Sequence, residues 1–161
     1  MNREAAELWS DAVGGAGTVI RYGHWGRPVL VFPSEQGKAW DFENNGMVAA
    51  VTGLLEEGRL KLYCVDSYDA QSWSSAAIPV EERAQRHGNH LNWLRGRVSL
   101  LLVCGQGQWE DTTGSLPSTK QFAEVLASKE IRHELDLWGH DVPHDWPSWR
   151  AQLAHHMPRF C

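Results

Sequence analysis

A chain of 161 residues has room for one domain with a real core and little room for two. Hydrophobic residues at 42% and charged residues at 22% exclude a disordered chain, and no apolar run approaches a bilayer span. A formal charge of -5 without a Lys/Arg cluster leaves no electrostatic footprint for nucleic acid or an anionic membrane, so both are excluded as partners.

The first residues, Met1 to Leu8, lack the apolar core of a secretory signal, which makes the cytoplasm the expected compartment. Cys64, Cys104 and Cys161 are odd in number and show no C-x-x-C spacing, so free thiols are expected, with Cys64 and Cys104 packed in apolar runs. Residues 1–16 show no periodicity and are read as a flexible entry. Residues 18–22 are strand-like, and Gly23-His24-Trp25-Gly26-Arg27 is a turn into residues 28–33. That run is continuously apolar, the pattern of a strand covered on both faces.

Residues 34–45 read as a loop. Met47, Val51, Leu54 and Leu55 then fall at helical spacing, with Asn44 or Asn45 as N-cap and Gly58 as the stop. The next strand covers 60–65, which completes a βαβ unit with a parallel crossover. A Ser/Trp-rich loop follows, then a polar helix candidate from 79 to about 87. Arg95-Gly96-Arg97 turns into the strongest buried-strand signal, residues 98–104. Ser118-Thr119-Lys120-Gln121 reads as a capping box, with Phe122, Val125 and Leu126 as the stripe of its helix. Residues 131–137 alternate like a half-exposed edge strand. The last helix starts near Pro147 with Trp149, Leu153 and Met157 inward. Strands alternating with helices argue an α/β sandwich with a mostly parallel sheet.

In an open parallel sheet, chemistry collects at the carboxyl ends of the strands. Three such ends carry useful groups: Ser34-Glu35, Glu110-Asp111, and His144 in the titratable loop Asp136 to Trp149. A carboxylate after one strand and a histidine after the next are the orienter and base of a hydrolytic triad. The acid fixes the tautomer that lets the other ring nitrogen take a proton.

Gly105-Gln106-Gly107-Gln108-Trp109-Glu110-Asp111 and His144-Asp145-Trp146-Pro147-Ser148-Trp149 resemble the acid and histidine loops of the α/β-hydrolase esterase family that includes S-formylglutathione hydrolases and mycolyltransferases. Residues 28–45, with Trp40-Asp41, are similar to that family's oxyanion-loop region. The resemblance covers nearly the whole chain, in blocks 1–88 and 89–161. It implies carboxylic-ester hydrolysis or acyl transfer without a cofactor or metal. His144 is then the general base, and the acid is Glu110 in preference to Asp111. Ser34 and Glu35, with Trp109, would form the oxyanion and binding side, and the ligand would be a small-molecule ester or acyl compound.

The family's nucleophilic serine sits in a Gly-x-Ser-x-Gly-like elbow, and the sequence contains no such motif. Gly114-Ser115-Leu116 reads as a loop. Around His87-Gly88-Asn89-His90 the first block runs into the second, as though the nucleophile strand and its flanking elements were removed. Weak or absent activity is therefore expected. The fold expected is a contracted three-layer α/β-hydrolase-like sandwich over residues 1–161, as a single domain. Its mostly parallel sheet would have about five strands, the edges at 28–33 and 98–104 pairing directly or between two copies in a homodimer.

Other readings compete. His140 could be the base, against its reading as a solvated loop histidine. Ser67, Ser72, Ser74 or Ser75 could replace the nucleophile, although four serines after a strand usually mean a loop. His140, Asp141, His144 and Asp145 have the ligand types for zinc, but Pro143 interrupts the helix such sites use and no third ligand is evident. Nine Trp could instead line an apolar pocket in a non-catalytic acyl- or aromatic-binding protein.

Overall fold

A computed structural model describes residues 1–11, 14–71, 74–79 and 99–161. The chain falls into two units, one made of Met1–Pro79 with Arg150–Cys161 and the other of Val80–Trp149. In the first, β1 (Arg3–Ser10), β2 (Gly15–Tyr22), β3 (Arg27–Val31) and β4 (Leu60–Val65) form a sheet in the order β1-β2-β4-β3. β1 and β2 are an antiparallel pair running from Arg3 opposite Tyr22 to Ser10 opposite Gly15. β2 is antiparallel to β4, and β3 is parallel to β4.

Three expectations change here. The sheet of this unit is mainly antiparallel rather than parallel, because a hairpin from the first 22 residues adds two antiparallel pairings. Residues 1–16 are no flexible entry: half of them form β1 and the last two begin β2. β1 is exposed at every position but Ser10. Backbone pairing places it, with side-chain bonds from Arg3 to Glu43 and from Arg21 to Glu4, and its exposure leaves no side-chain alternation to read. β3 is not covered on both faces either. Among the described strands it lies at one edge of its sheet, with Val29 and Val31 toward the core while Leu30 is 56% exposed and Phe32, just past the strand, 74%.

The core lies on one face of this sheet. β4 alternates, burying Leu60, Leu62 and Cys64, and they meet Ile20 and Tyr22 of β2. Burying each large side chain stabilises the unit by about 1.5–3 kcal/mol. The parallel β3–β4 connection carries α1 (Asp41–Asn44), α2 (Met47–Ala50) and α3 (Thr52–Glu56), of which Val48, Val51 and Leu55 complete the core. One continuous helix was the expectation. Gly46, at φ 74, precedes α2, and the chain breaks at Val51, whose φ is -118°. Thr52 and Gly53 are poor helix formers, and the Thr52 hydroxyl donates to the Val48 carbonyl at 3.2 Å, so the ladder is weakest at that point. Gly58 ends the segment at φ 68, as its position predicts. From α5 (Trp146–His156) and the turn after it, Leu153 and Met157 pack on the same core.

In the second unit β5 (Leu100–Cys104) and β6 (His133–Leu137) pair in parallel, from Leu100 opposite His133 to Cys104 opposite Leu137. They form a two-stranded sheet of their own, so the described strands do not make the single contracted sheet. Their connection is α4 (Ser115–Ser128), which opens three residues ahead of the predicted capping box. Gly114, at φ 76, is its N-cap, and Ser115 is therefore the first helical residue and not part of a loop. The earlier start selects another face: Leu116, Ala123 and Leu126 are buried, while Phe122 and Val125 are 48% and 46% exposed. Residues 80–98 lie outside the described residues, and with them the predicted polar helix, the turn at 95–97, the block junction at 87–90 and the first residue of the predicted strand at 98. Ser72 lies outside them too. Among the described residues no helix is long and apolar enough to cross a membrane.

Candidate functional site

β5 and β6 end side by side, and the loops that leave them stay bonded to each other. The Cys104 carbonyl accepts from Trp138 N–H at 2.9 Å, Gln106 N–H donates to Gly139 at 3.3 Å, Gly107 N–H donates to Val142 at 2.9 Å, and His144 N–H donates to Gln108 at 3.0 Å. These rungs extend the parallel pairing past the strands and bring residue 144 alongside residues 108–110. The glycines make the approach possible. A Cβ on Gly105 would lie 2.2 Å from the Val142 carbonyl oxygen, and one on Gly107 would lie 2.7 Å from it.

After Gly107 the chain turns sharply. Trp109 adopts φ 69, a left-handed conformation that is costly for a residue with a Cβ. Its carbonyl accepts from the Thr113 hydroxyl at 2.6 Å and from Thr113 N–H at 3.0 Å, which fixes the turn. The turn sends neighbouring side chains opposite ways. Glu110 goes inward and is 2% exposed, whereas Asp111 and Trp109 face out, Trp109 at 53%.

Glu110 Oε2 lies 3.0 Å from His144 Nδ1. A carboxylate can only accept, so it places the proton on Nδ1 and leaves Nε2 with a lone pair. The His144 side chain is about one-third exposed. Its ring stands edge-on to Trp149 at 4.9 Å between centroids, and Trp149 stands edge-on to Trp146 at 4.7 Å. Asp145 Oδ1 accepts from Ser148 N–H at 2.9 Å and so secures the start of α5. The proposed stripe residue Trp149 thus serves as a wall beside His144.

The alternatives noted for this loop have other partners. His140 is exposed, and its Nδ1 is 3.1 Å from the Gln106 carbonyl. Among the described residues no group of three or more His, Cys, Asp or Glu side chains is arranged to hold a metal ion. Ser34 and Glu35 belong to the first unit and are exposed, with Glu35 Oε1 accepting from the Ser74 hydroxyl at 3.1 Å. Ser67 bonds to the Asp69 carboxylate beside it. A hollow of about 290 Å³ in the first unit is lined by Ala5, Ala6, Leu8, Val19 and Tyr63 with the Glu4 and Arg21 pair, and no Trp lines it.

Two residues at the site lie outside the predicted acid, base and oxyanion set. Cys104, read as a packing residue, is buried, and its Sγ lies 3.5 Å from Glu110 Oε2. Ser115 Oγ is 3.9 Å from the same sulfur. Burial pushes the Cys104 thiol up, the nearby Ser115 hydroxyl opposes that, and the Glu110 charge adds to it, so the sulfur holds its proton. The available signal was positional: Cys104 is the last residue of its strand, directly before Gly105.

No protein-family model matches the chain, and no curated protein matches it. Solved structures do. A ferulic acid esterase superposes with a TM-score of 0.61 at 10% identity, the match covering 98% of this chain and 97% of that one. An S-formylglutathione hydrolase from Staphylococcus aureus, solved as the apoenzyme, gives 0.60 at 9% identity over 98% and 95%. At these identities the likeness is one of fold, and it shows an esterase-like α/β architecture.

Proposed function

We propose that the chain is an esterase-type domain that keeps the acid and histidine of a hydrolytic triad and lacks the serine elbow they would serve, so that it hydrolyses carboxylic esters slowly or not at all. The observation that carries this reading is the 3.0 Å contact between His144 Nδ1 and the buried Glu110 carboxylate. In this reading Glu110 orients the ring and stabilises its positive charge, while Nε2 is the base. With no elbow serine, the proton it takes comes from water attacking the ester carbonyl. Trp109, exposed beside this pair, is the proposed binding wall. Loss of a triad nucleophile costs on the order of a million-fold in turnover, which sets the level of residual activity.

The test is a fluorophosphonate probe alongside p-nitrophenyl acetate hydrolysis. No serine is expected to be labelled, and any residual hydrolysis disappears in His144→Ala. Stoichiometric labelling of one serine overturns the inactivity and identifies the nucleophile.

A second reading rests on the Trp146–Trp149–His144 edge-to-face stack. As a non-catalytic binder of acyl or aromatic compounds, the protein would change its Trp emission on titration with a non-hydrolysable acyl compound, and would release it unaltered. The outer edge of β3, with exposed Leu30 and Phe32, is the proposed contact with a second copy. Light scattering on the eluting protein reads its mass, and a monomer at all concentrations removes that contact.

A further inference from the structure

Glu110 offers one oxygen, Oε2, to two donors at once. His144 Nδ1 is 3.0 Å from it, and Cys104 Sγ is 3.5 Å away. We propose that Cys104 is a positioning residue for the acid–imidazole pair: its thiol donates to Glu110 Oε2 and fixes both the rotamer of the carboxylate and how much of its charge reaches His144. The inference rests on the reading of Glu110 and His144 as a triad pair, and extends it inward by two residues.

The directions follow from proton counting. A thiol has one proton and a carboxylate has none to give, so the sulfur donates to Glu110. The thiol is available for this because burial keeps it protonated. With its proton committed, Sγ can only accept from Ser115 Oγ at 3.9 Å. A chain therefore runs from Ser115 through Cys104 and Glu110 to His144. A carboxylate relieved of part of its charge by a second donor attracts the imidazolium less. The thiol thus draws off part of the charge that Glu110 Oε2 presents to His144 Nδ1.

The strand end makes this arrangement rigid. Cys104 is hydrogen-bonded through its carbonyl to Trp138 N–H at 2.9 Å, and Glu110 through its carbonyl to Leu116 N–H at 3.0 Å, so each backbone is anchored to its own neighbour. A Cβ at Gly105 would lie 3.0 Å from Glu110 Oε1, so the other carboxylate oxygen sits close to the Gly105 backbone.

The test follows the His144 ring nitrogens by NMR across pH in the wild type, in C104S and in C104A. It needs no turnover, so it separates this proposal from the esterase reading: a protein with no hydrolytic activity still reports. The ionisable neighbours Asp111, His140, Asp141 and Asp145 are the same in all three proteins. With the donor removed in C104A, the His144 midpoint is expected to rise by about half a pH unit. Serine restores a hydroxyl donor and returns the midpoint to within about 0.2 units of wild type. A cavity effect alone would lower stability in C104A and leave the titration in place. An unmoved or lowered midpoint in C104A overturns the proposal. Should C104A not fold, C104V supplies the donor-free side chain of similar volume, with the same two outcomes.

Discussion

Replacing Gly105 by alanine probes the step that assembles the site. The new Cβ would sit 2.2 Å from the Val142 carbonyl oxygen, 3.1 Å from the Val142 carbonyl carbon and 3.0 Å from Glu110 Oε1. Backbone is the obstacle, so no side-chain rotation relieves it. Normal contact requires the oxygen to withdraw by roughly 1 Å. That oxygen accepts from Gly107 N–H at 2.9 Å, and the same loop carries His144 toward Gln108. Overpacking of this kind costs about 1–3 kcal/mol, and weakening the hydrogen bond adds about 0.5–1.5 kcal/mol. Taken together, G105A should lose about 2–4 kcal/mol, which for a chain of this length lowers Tm by roughly 4–16 °C. Urea unfolding monitored by Trp fluorescence measures the first, and the His144–Glu110 coupling is read by NMR. Gly139→Ala is the control. Its Cβ meets only the Asp141 carboxylate, at 2.5 Å, and that flexible end can swing away. G139A is expected within about 0.5 kcal/mol of wild type. If G105A is as stable as G139A and keeps its coupling, the close approach of the two loops is not what holds the site.

Three further outcomes follow. The Tyr22 hydroxyl is pushed up to about 12, first by burial and then by its hydrogen bond to Glu43 at 2.9 Å. The raised value means its stabilisation is complete below the ordinary tyrosine value of about 10 and is lost as pH rises from there through 12; wild type should lose stability over that window relative to Y22F, and parallel curves would refute it. Burial of Asp66 by itself raises its pKa, but the N–H groups of Ala39 and Thr18 and the nearby Lys38 outweigh it and hold the carboxyl below the usual range. Its stabilisation is present above that range and fades as pH falls, so D66N should be about 1–2 kcal/mol less stable near neutrality, with the gap closing in acid. Among the thiols, burial and then the Glu43 charge raise Cys64 to about 12, and burial raises Cys104, while Cys161 is half-buried. A disulfide reagent at pH 8 should titrate Cys161 first, with the other two following only on unfolding; three equal rates would contradict this.

Local chemistry wrote several elements directly into the sequence. The run at 60–65 is a strand because alternate Leu60, Leu62 and Cys64 bury one face, and Gly58 stops the preceding segment because it takes a left-handed conformation without strain. The same holds for the grouping of Glu110 and His144 on the exits of two strands, since parallel neighbours end together. What periodicity could not supply was the neighbourhood of each strand. β1 and β2 pair through backbone groups that every residue carries, so nothing in Arg3 to Ser10 distinguishes a hairpin arm from a loose tail. The apolar run at 28–33 has the composition of a central strand, and only the sheet order made it an edge. Within the site, the choice of Glu110 over Asp111 depended on the left-handed turn at Trp109, and the part played by Cys104 depended on where that turn delivered the carboxylate. Spacing along a chain records which side chains share a face. Which atoms of two loops come within hydrogen-bonding distance is decided by tertiary contacts such as the approach of Val142 to Gly105, and these exist only once the strands have paired.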